Sequence, residues 1–277
     1  MKIKNDISVL ISFIIISIFI FSLILIFTFE SYFESLKPSF ALQTTDSSPS
    51  FSNNISEMIK QGDYIFDIIR DYYKAIEFYD KVLSGEPENV ESLAKKAKAL
   101  SRLSNFTEAF ELIDKALDIE PNSVIVLDAK GYVFNRQGNY SEAINYYDKA
   151  LAIDPYFLDA LDDKGWTLSR QGNYSEAIKY YDKALAINPN DYYTLNNMAY
   201  DLARYSSNYS KALELVDKAL EMSPNYLYAM DTKALVLNQL GRYQEAVEWY
   251  DKVLEKEPNN IYSVNNKGVA LANLGHY

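Results

Sequence analysis

From residue 56 onward, apolar positions recur at spacings of three and four, and the pattern restarts about every 34 residues. In residues 141–153 they fall at Ala143, Ile144, Tyr147, Ala150, Leu151 and Ile153, which is one stripe of a helix. Upstream, Leu127, Gly131 and Phe134 form a second stripe. Gly138 breaks the pattern between them, as a glycine past a helix C-terminus does. Ser141 stands where an N-cap is wanted. Pro155 cannot donate a backbone N–H and ends the second helix. Each period therefore predicts a helix–turn–helix, and one such unit cannot bury its apolar face alone, so units must stack. A different pattern holds at the start. No charge lies between Asp6 and Glu30, and in residues 7–29 only Ser8, Ser12, Ser17, Ser22 and Thr28 are not apolar. At about 1.5 Å per residue this run is long enough to cross a hydrocarbon core of roughly 30 Å.

The prolines set the period. Pro87, Pro121, Pro155, Pro189, Pro224 and Pro258 are separated by 34, 34, 34, 35 and 34 residues. Small residues recur in every first helix (Ala97, Gly131, Gly165, Ala199, Ala234, Gly268) and early in every second (Ala109, Ala143, Ala177, Ala212, Ala246). A side chain no larger than a methyl lets two helix axes approach, and Tyr79, Tyr147, Tyr181 and Tyr250 supply bulk across the seam. Six full units are expected at 56–89, 90–123, 124–157, 158–191, 192–226 and 227–260, with the first helix of an incomplete seventh at 261–277. The fifth carries one extra residue, expected in the turn near residues 206–208. The seventh unit stops where its second helix should begin and presents Val264, Val269 and Leu271 without a partner helix. Either the first helix of this unit acts as a poor cap or the chain is a piece of a longer array, and the second is the expectation.

These features resemble the tetratricopeptide repeat family. The resemblance rests on the small residue of the first helix, on Gly138-Asn139-Tyr140, Gly172-Asn173-Tyr174 and Gly241-Arg242-Tyr243, on the second-helix alanines Ala116, Ala150, Ala184 and Ala219, and on the closing proline. Leu93, Leu127, Leu161, Leu195 and Met230 stand where the family usually has tryptophan. The resemblance implies an all-α, right-handed superhelical solenoid with a concave groove lined by the first helices, here preceded by a single transmembrane helix. It also implies protein–protein interaction as the role. The family's carboxylate clamp, built from Lys, Asn and Arg, is replaced in the matching columns by Asp, Tyr and Trp, so a chaperone-type C-terminal tail is not the expected ligand.

The expected order is a short tail at 1–6, a signal anchor at 7–29, a flexible linker at 30–55 and then the repeats. Lys2 and Lys4 precede the apolar run and Lys37 follows it, so the excess of Lys places the N-terminus in the cytoplasm and the array outside it. A cleaved signal is the rival reading, with a small-x-small site at Ser39-Phe40-Ala41, but a cleavable apolar region is usually shorter, about 7 to 15 residues. An array on the cytoplasmic side is the rival topology.

The 277 residues carry a formal charge of −11, no cysteine and one histidine, His276. The absence of cysteine removes disulfides, thiolate metal sites and a thiol nucleophile. A single histidine at the end of the chain argues against triad chemistry and imidazole metal sites. The acidic balance argues against nucleic acid as a partner. We expect no catalytic residue, cofactor, metal or small-molecule substrate, and an interaction protein instead of an enzyme. The remaining candidates form columns on the first helices. One holds Asp128, Asp162 and Asn196, together with Asp231 and Asn265. The next, a turn later, holds Tyr132, Trp166 and Tyr200. A third holds Arg102, Arg136, Arg170 and Arg204. Steps of four put them on one helical face, where they would line a peptide groove; the competing account is a solvated Arg–Asp ladder with aromatics packed between units. The recurring Asp-Lys dipeptides are adjacent and do not share a face. Asn54, Asn105, Asn139, Asn173 and Asn208 head N-x-Ser/Thr sequons and are candidate glycan sites. The leading function is a membrane-anchored scaffold holding a protein or peptide segment in its concave face. The alternatives are an envelope assembly component using the convex face, or the repeat portion of a longer enzyme.

Overall fold

The computed structural model describes residues 51–275, with side chains from residue 54 onward. The described residues are helical throughout their regular structure. Helix α1 spans Phe51–Tyr64, α2 Tyr72–Gly85, α3 Val90–Arg102, α4 Phe106–Ile119, α5 Val124–Arg136, α6 Tyr140–Ile153, α7 Leu158–Arg170 and α8 Tyr174–Ile187. They are followed by α9 Tyr192–Asp201, α10 Tyr209–Met222, α11 Leu227–Gln239, α12 Tyr243–Lys256 and α13 Ile261–Asn273. Odd and even helices pair in sequence, and each pair packs on the next. The apolar run at 7–29 and most of the expected linker lie outside the described residues. Among the described residues no helix is long and apolar enough to cross a membrane.

The local chemistry differs from expectation in three places. Helix α1 begins at Phe51, within the stretch expected to be linker. Ile55 and Ile59 are buried there and form one cluster with Val82 of α2, with Met58 packed against it, so this stretch has an apolar face to cover. The N-cap of α6 is Asn139, not Ser141: its side chain accepts from the backbone N–H of Glu142. An Asn oxygen two bonds beyond Cβ reaches that N–H, and Ser141 lies within the first turn. Ile153, counted in the core stripe, is half exposed.

The seam between paired helices is set by size. Gly131 of α5 faces Tyr147 of α6 so closely that a Cβ there would stand 2.6 Å from Cε1 of the ring. Gly165 meets Tyr181, and Gly62 meets Tyr79, at the same 2.6 Å. Where the first helix carries Ala97 in this register, the second presents the smaller Ile113. Ala234 and Tyr250 occupy one cluster in the sixth pair, so that pair accommodates the methyl. Gly268 has nothing within 4 Å of where its Cβ would be. On α13, Val264 and Val269 are about half exposed, whereas Leu271 packs against the last cluster.

Seventeen residues separate Gly62 from Tyr79, against sixteen between Gly131 and Tyr147. The surplus residue is taken up at the end of the first helix, not in the turn. Helix α1 continues into a π-helical turn, Ile65–Ile69, and α9 into another, Leu202–Ser206. Each ends on a residue in the left-handed region, Arg70 with φ 62° and Ser207 with φ 53°. A π turn absorbs one residue while keeping the helix face on either side in register.

The glycine seams make a stability prediction. Gly131→Ala gains helix propensity worth about 1 kcal/mol but forces the buried Tyr147 ring against the new methyl, an overpacking cost of about 1–3 kcal/mol. The melting temperature should fall. In a Tyr147→Ile background, which copies the Ala97–Ile113 pair, the same substitution should become neutral or stabilising. A double-mutant cycle followed by thermal denaturation measures this; additive effects would contradict the seam.

Candidate functional site

The stacked pairs curl until the first meets the last. Arg70, at the end of the first π turn, makes a salt bridge to Glu257 at the end of α12, 2.9 Å apart. Its guanidinium lies 4.3 Å from the ring centre of Tyr228 on α11. Arg102 of α3 donates to the Tyr228 hydroxyl at 2.6 Å and also to the Tyr72 hydroxyl. Burial acts to raise the Tyr228 hydroxyl, but the guanidinium groups of Arg102 and Arg70 outweigh it and hold the group below its ordinary value. The curl bounds a half-open cavity of about 860 Å³.

The first-helix columns meet in that cavity. Asp128, Tyr132, Arg136, Asp162, Trp166, Arg170, Asn196 and Tyr200 all line it. Arg204 does not; it is exposed, with its guanidinium 5.9 Å from the Tyr200 ring. Within the column, burial varies. Asp128 and Asn196 are buried, Asp162 and Trp166 are half-buried, and Arg136 and Arg170 are exposed at the rim. Trp166 packs on Tyr200 at 6.0 Å between ring centres.

Polar contacts run from unit to unit along the interior. Lys98 of α3 bridges Asp128 of α5 at 2.6 Å and Asp163 of α7 at 3.5 Å. Asn197 of α9 donates to both carboxylate oxygens of Asp162. Ser169 donates to Asp201 at 2.7 Å, and Ser263 donates to Asp231. Lys98, Lys95, Asp67 and Asp163 belong to this interior, and column reasoning on the first helices missed them. Lys98 stands in the column of Tyr132, Trp166 and Tyr200, one unit earlier, and Asp163 stands one position past Asp162; carrying the column back by one 34-residue step would have found the first.

Burial pushes Asp128, Asp162 and Asp163 up to about 7; Lys98 pulls Asp128 and Asp163 the other way. Burial also raises Asp67, Asp201 and Asp231 to about 6. Burial works to lower Lys98, yet Asp128 and Asp163 hold its ammonium well above its ordinary value.

The Arg–Asp ladder of the competing account is absent among the described residues, and two of the column arginines take tyrosines instead. Arg170 donates to the Tyr140 hydroxyl at 3.3 Å, as Arg102 does to Tyr72. The ladder that exists is Lys–Asp, from a first helix to the preceding second helix. Lys96 meets Asp80 at 2.7 Å, Lys130 meets Asp114 at 2.8 Å and Lys233 meets Asp217 at 2.6 Å, with Lys164–Asp148 and Lys267–Asp251 in the same register. Met198, in the core, interrupts it. Mostly exposed on the acid side, each pair contributes only about 0–1 kcal/mol. The lysine of each Asp-Lys dipeptide goes elsewhere. Lys149 lies over Tyr146 and Lys252 over Trp249, while Lys115 and Lys218 donate to the carbonyls of Pro87 and Pro189. These dipeptides are structural.

Asn105, Asn139, Asn173 and Asn208 occupy N-cap positions and are exposed, as is Asn54.

Models of the tetratricopeptide repeat match residues 90–123, 129–157, 163–191 and 198–261. The chain belongs to the tetratricopeptide repeat family. No curated protein matches it. Among solved structures, a tetratricopeptide repeat protein from Parabacteroides merdae is 19% identical, with 81% of this chain and 88% of that one covered and a TM-score of 0.54. The Cut9–Hcn1 hetero-tetramer of APC/C is 18% identical over 78% of this chain and 43% of that one, with a TM-score of 0.63. These two share the fold. YrrB, described as a TPR protein with an unusual peptide-binding site, is 21% identical over 69% of this chain and 97% of that one, with a TM-score of 0.45.

The buried carboxylates give this repeat array a pH signature. Their folded values lie above the ordinary 3.8, so between about pH 4 and pH 7 the folded chain holds more protons than the unfolded chain. Their contribution to stability is fully present at the acid end of that window and is lost as pH rises through about 7. The melting temperature should be several degrees higher at pH 6 than at pH 8, and Asp162→Asn should flatten the slope. A melting temperature that rises over the same interval would contradict the burial of these acids.

Proposed function

We propose that this tetratricopeptide repeat chain is a membrane-tethered scaffold that holds an extended segment of a partner protein inside its superhelix. The observation that carries the reading is the cavity itself. It is lined by side chains from successive first helices, its volume falls in the range of ligand sites, about 300–1,000 Å³, and its lining is rich in aromatic and Asp side chains. Anchors such as Trp166 would supply most of the affinity, with polar support from Asp162 and Arg170. The tether rests on the charge-free run at 7–29, and the placement of the array outside the cytoplasm on Lys2 and Lys4 against Lys37. With that placement the five exposed sequon asparagines are open to glycosylation.

A capture experiment tests the interior. Full-length chain is recovered from detergent-solubilised membranes of its own cells, and co-purifying proteins are compared between wild type and Trp166→Ala. The variant should lose its partner by about tenfold or more, the effect of a lost hot-spot residue, while its circular dichroism and melting curve stay close to wild type. Undiminished capture would move the binding surface to the convex face. Protease added to intact cells should degrade the repeats; full protection would place them in the cytoplasm.

A further inference from the structure

The cavity is negative. Eight aspartates line it against five lysines and arginines. Three of those cations are already engaged: Lys95 by Asp63 at 2.7 Å, Lys98 by Asp128 and Asp163, and Arg102 by the Tyr72 and Tyr228 hydroxyls. The other two, Arg136 and Arg170, are exposed at the rim. Two buried acceptors that line the cavity have no donor among the described residues. Asp128 is 1% exposed; its Oδ2 takes Lys98, and its Oδ1 accepts nothing. Asn196 is 4% exposed and its Oδ1 also accepts nothing. They hold the same position on α5 and α9, on either side of Asp162 on α7. Buried acceptors are almost always satisfied, so each such orphan calls for an explanation.

The walls beside them are aromatic. Trp166 and Tyr200 lie 6.0 Å apart, and Tyr193 and Tyr226 lie 5.2 Å apart. Such faces attract cations, and Lys98 already sits 5.0 Å from the Tyr132 ring centre. Ligand chemistry follows by elimination. A carboxylate or phosphate would face an excess of aspartates, and an apolar group would leave Asp128 and Asn196 unsatisfied. A guanidinium or ammonium carries several N–H donors, no acceptor and the opposite charge.

We infer that the cavity is a receptor for a guanidinium or ammonium group, whose N–H donors satisfy the interior acceptors between the aromatic walls. The inference rests on the proposed function in one respect: it assigns that group to a side chain of the bound protein segment. The volume, far larger than one such side chain, leaves room for the backbone that carries it.

Isothermal titration calorimetry on the full-length chain in detergent micelles tests this with three probes. They are a capped hexapeptide with one central arginine, the same peptide with citrulline in its place, and agmatine. The arginine peptide should bind about tenfold or more tighter than its neutral twin, in keeping with loss of a desolvated charge contact. Asp128→Asn and Asp162→Asn should each weaken it about tenfold, and Asn196→Asp, which adds a carboxylate, should tighten it. Melting curves of the three variants show whether the fold is retained, and the gain in Asn196→Asp cannot arise from unfolding. Equal affinity for arginine and citrulline peptides overturns the cation inference and leaves the scaffold reading in place. Agmatine binding as tightly as the peptide overturns the assignment to a protein side chain and points to free amines. If no probe binds while Trp166→Ala still loses its cellular partner, the cation inference fails by itself.

Discussion

In three of the pairs a bare glycine backbone lies directly against a buried tyrosine ring. At Gly62, Gly131 and Gly165 there is no room for even a methyl group. This sets how near the two helices of a pair lie, and so the step from each pair to the next. In a solenoid such steps accumulate, because every unit contacts only its neighbours. A small change in one seam would be multiplied around the array, and the meeting of Arg70 with Glu257 depends on the sum.

That meeting turns a groove into an interior. Side chains that would face solvent in an open array are withdrawn from it, and the cost falls on the carboxylates. Asp128, Asp162 and Asp163 are driven up to about 7 by burial, although Lys98 lies beside two of them. Charges this buried are stable only when paired or protonated. The interior thus concentrates what a cationic ligand would relieve, whereas the surface is occupied by structural pairings such as Lys96–Asp80. The π turn that ends in Arg70 has a part in this. It absorbs a surplus residue and in doing so places Arg70 where Tyr228 and Glu257 can reach it.

The fold was largely legible in the sequence because its causes are local. Periodic apolar positions, Gly138 past a helix end and Pro155 past another each act within a few residues, and the small-residue column already implied a seam against Tyr147 and Tyr181. The site was legible only in outline. Columns at steps of four found Asp128, Trp166 and Asn196, but also Arg204, which lies outside the cavity. Lys98 escaped because its role comes from α5 and α7, 30 and 65 residues on. The arginine column was read as part of a peptide groove, with an Arg–Asp ladder as the competing account; Arg102 and Arg170 instead donate to tyrosine hydroxyls, and nothing within one unit distinguishes those outcomes, since they depend on how far neighbouring units rotate. The bulges were hidden for a related reason: a surplus residue is visible in the spacing, but whether turn or helix absorbs it is decided by packing on both sides.

Closure of the superhelix is the claim on which the interior depends, and one distance tests it. The chain has no native cysteine, so spin labels can be placed uniquely at Lys60→Cys on α1 and Glu255→Cys on α12, both exposed. Double electron–electron resonance on the full-length chain should give one narrow distance distribution, which broadens and lengthens when Arg70→Ala removes the contacts to Glu257 and Tyr228. A broad, long distribution in the unaltered chain, unchanged by Arg70→Ala, would mean that the ends do not meet and that the cavity is an open groove.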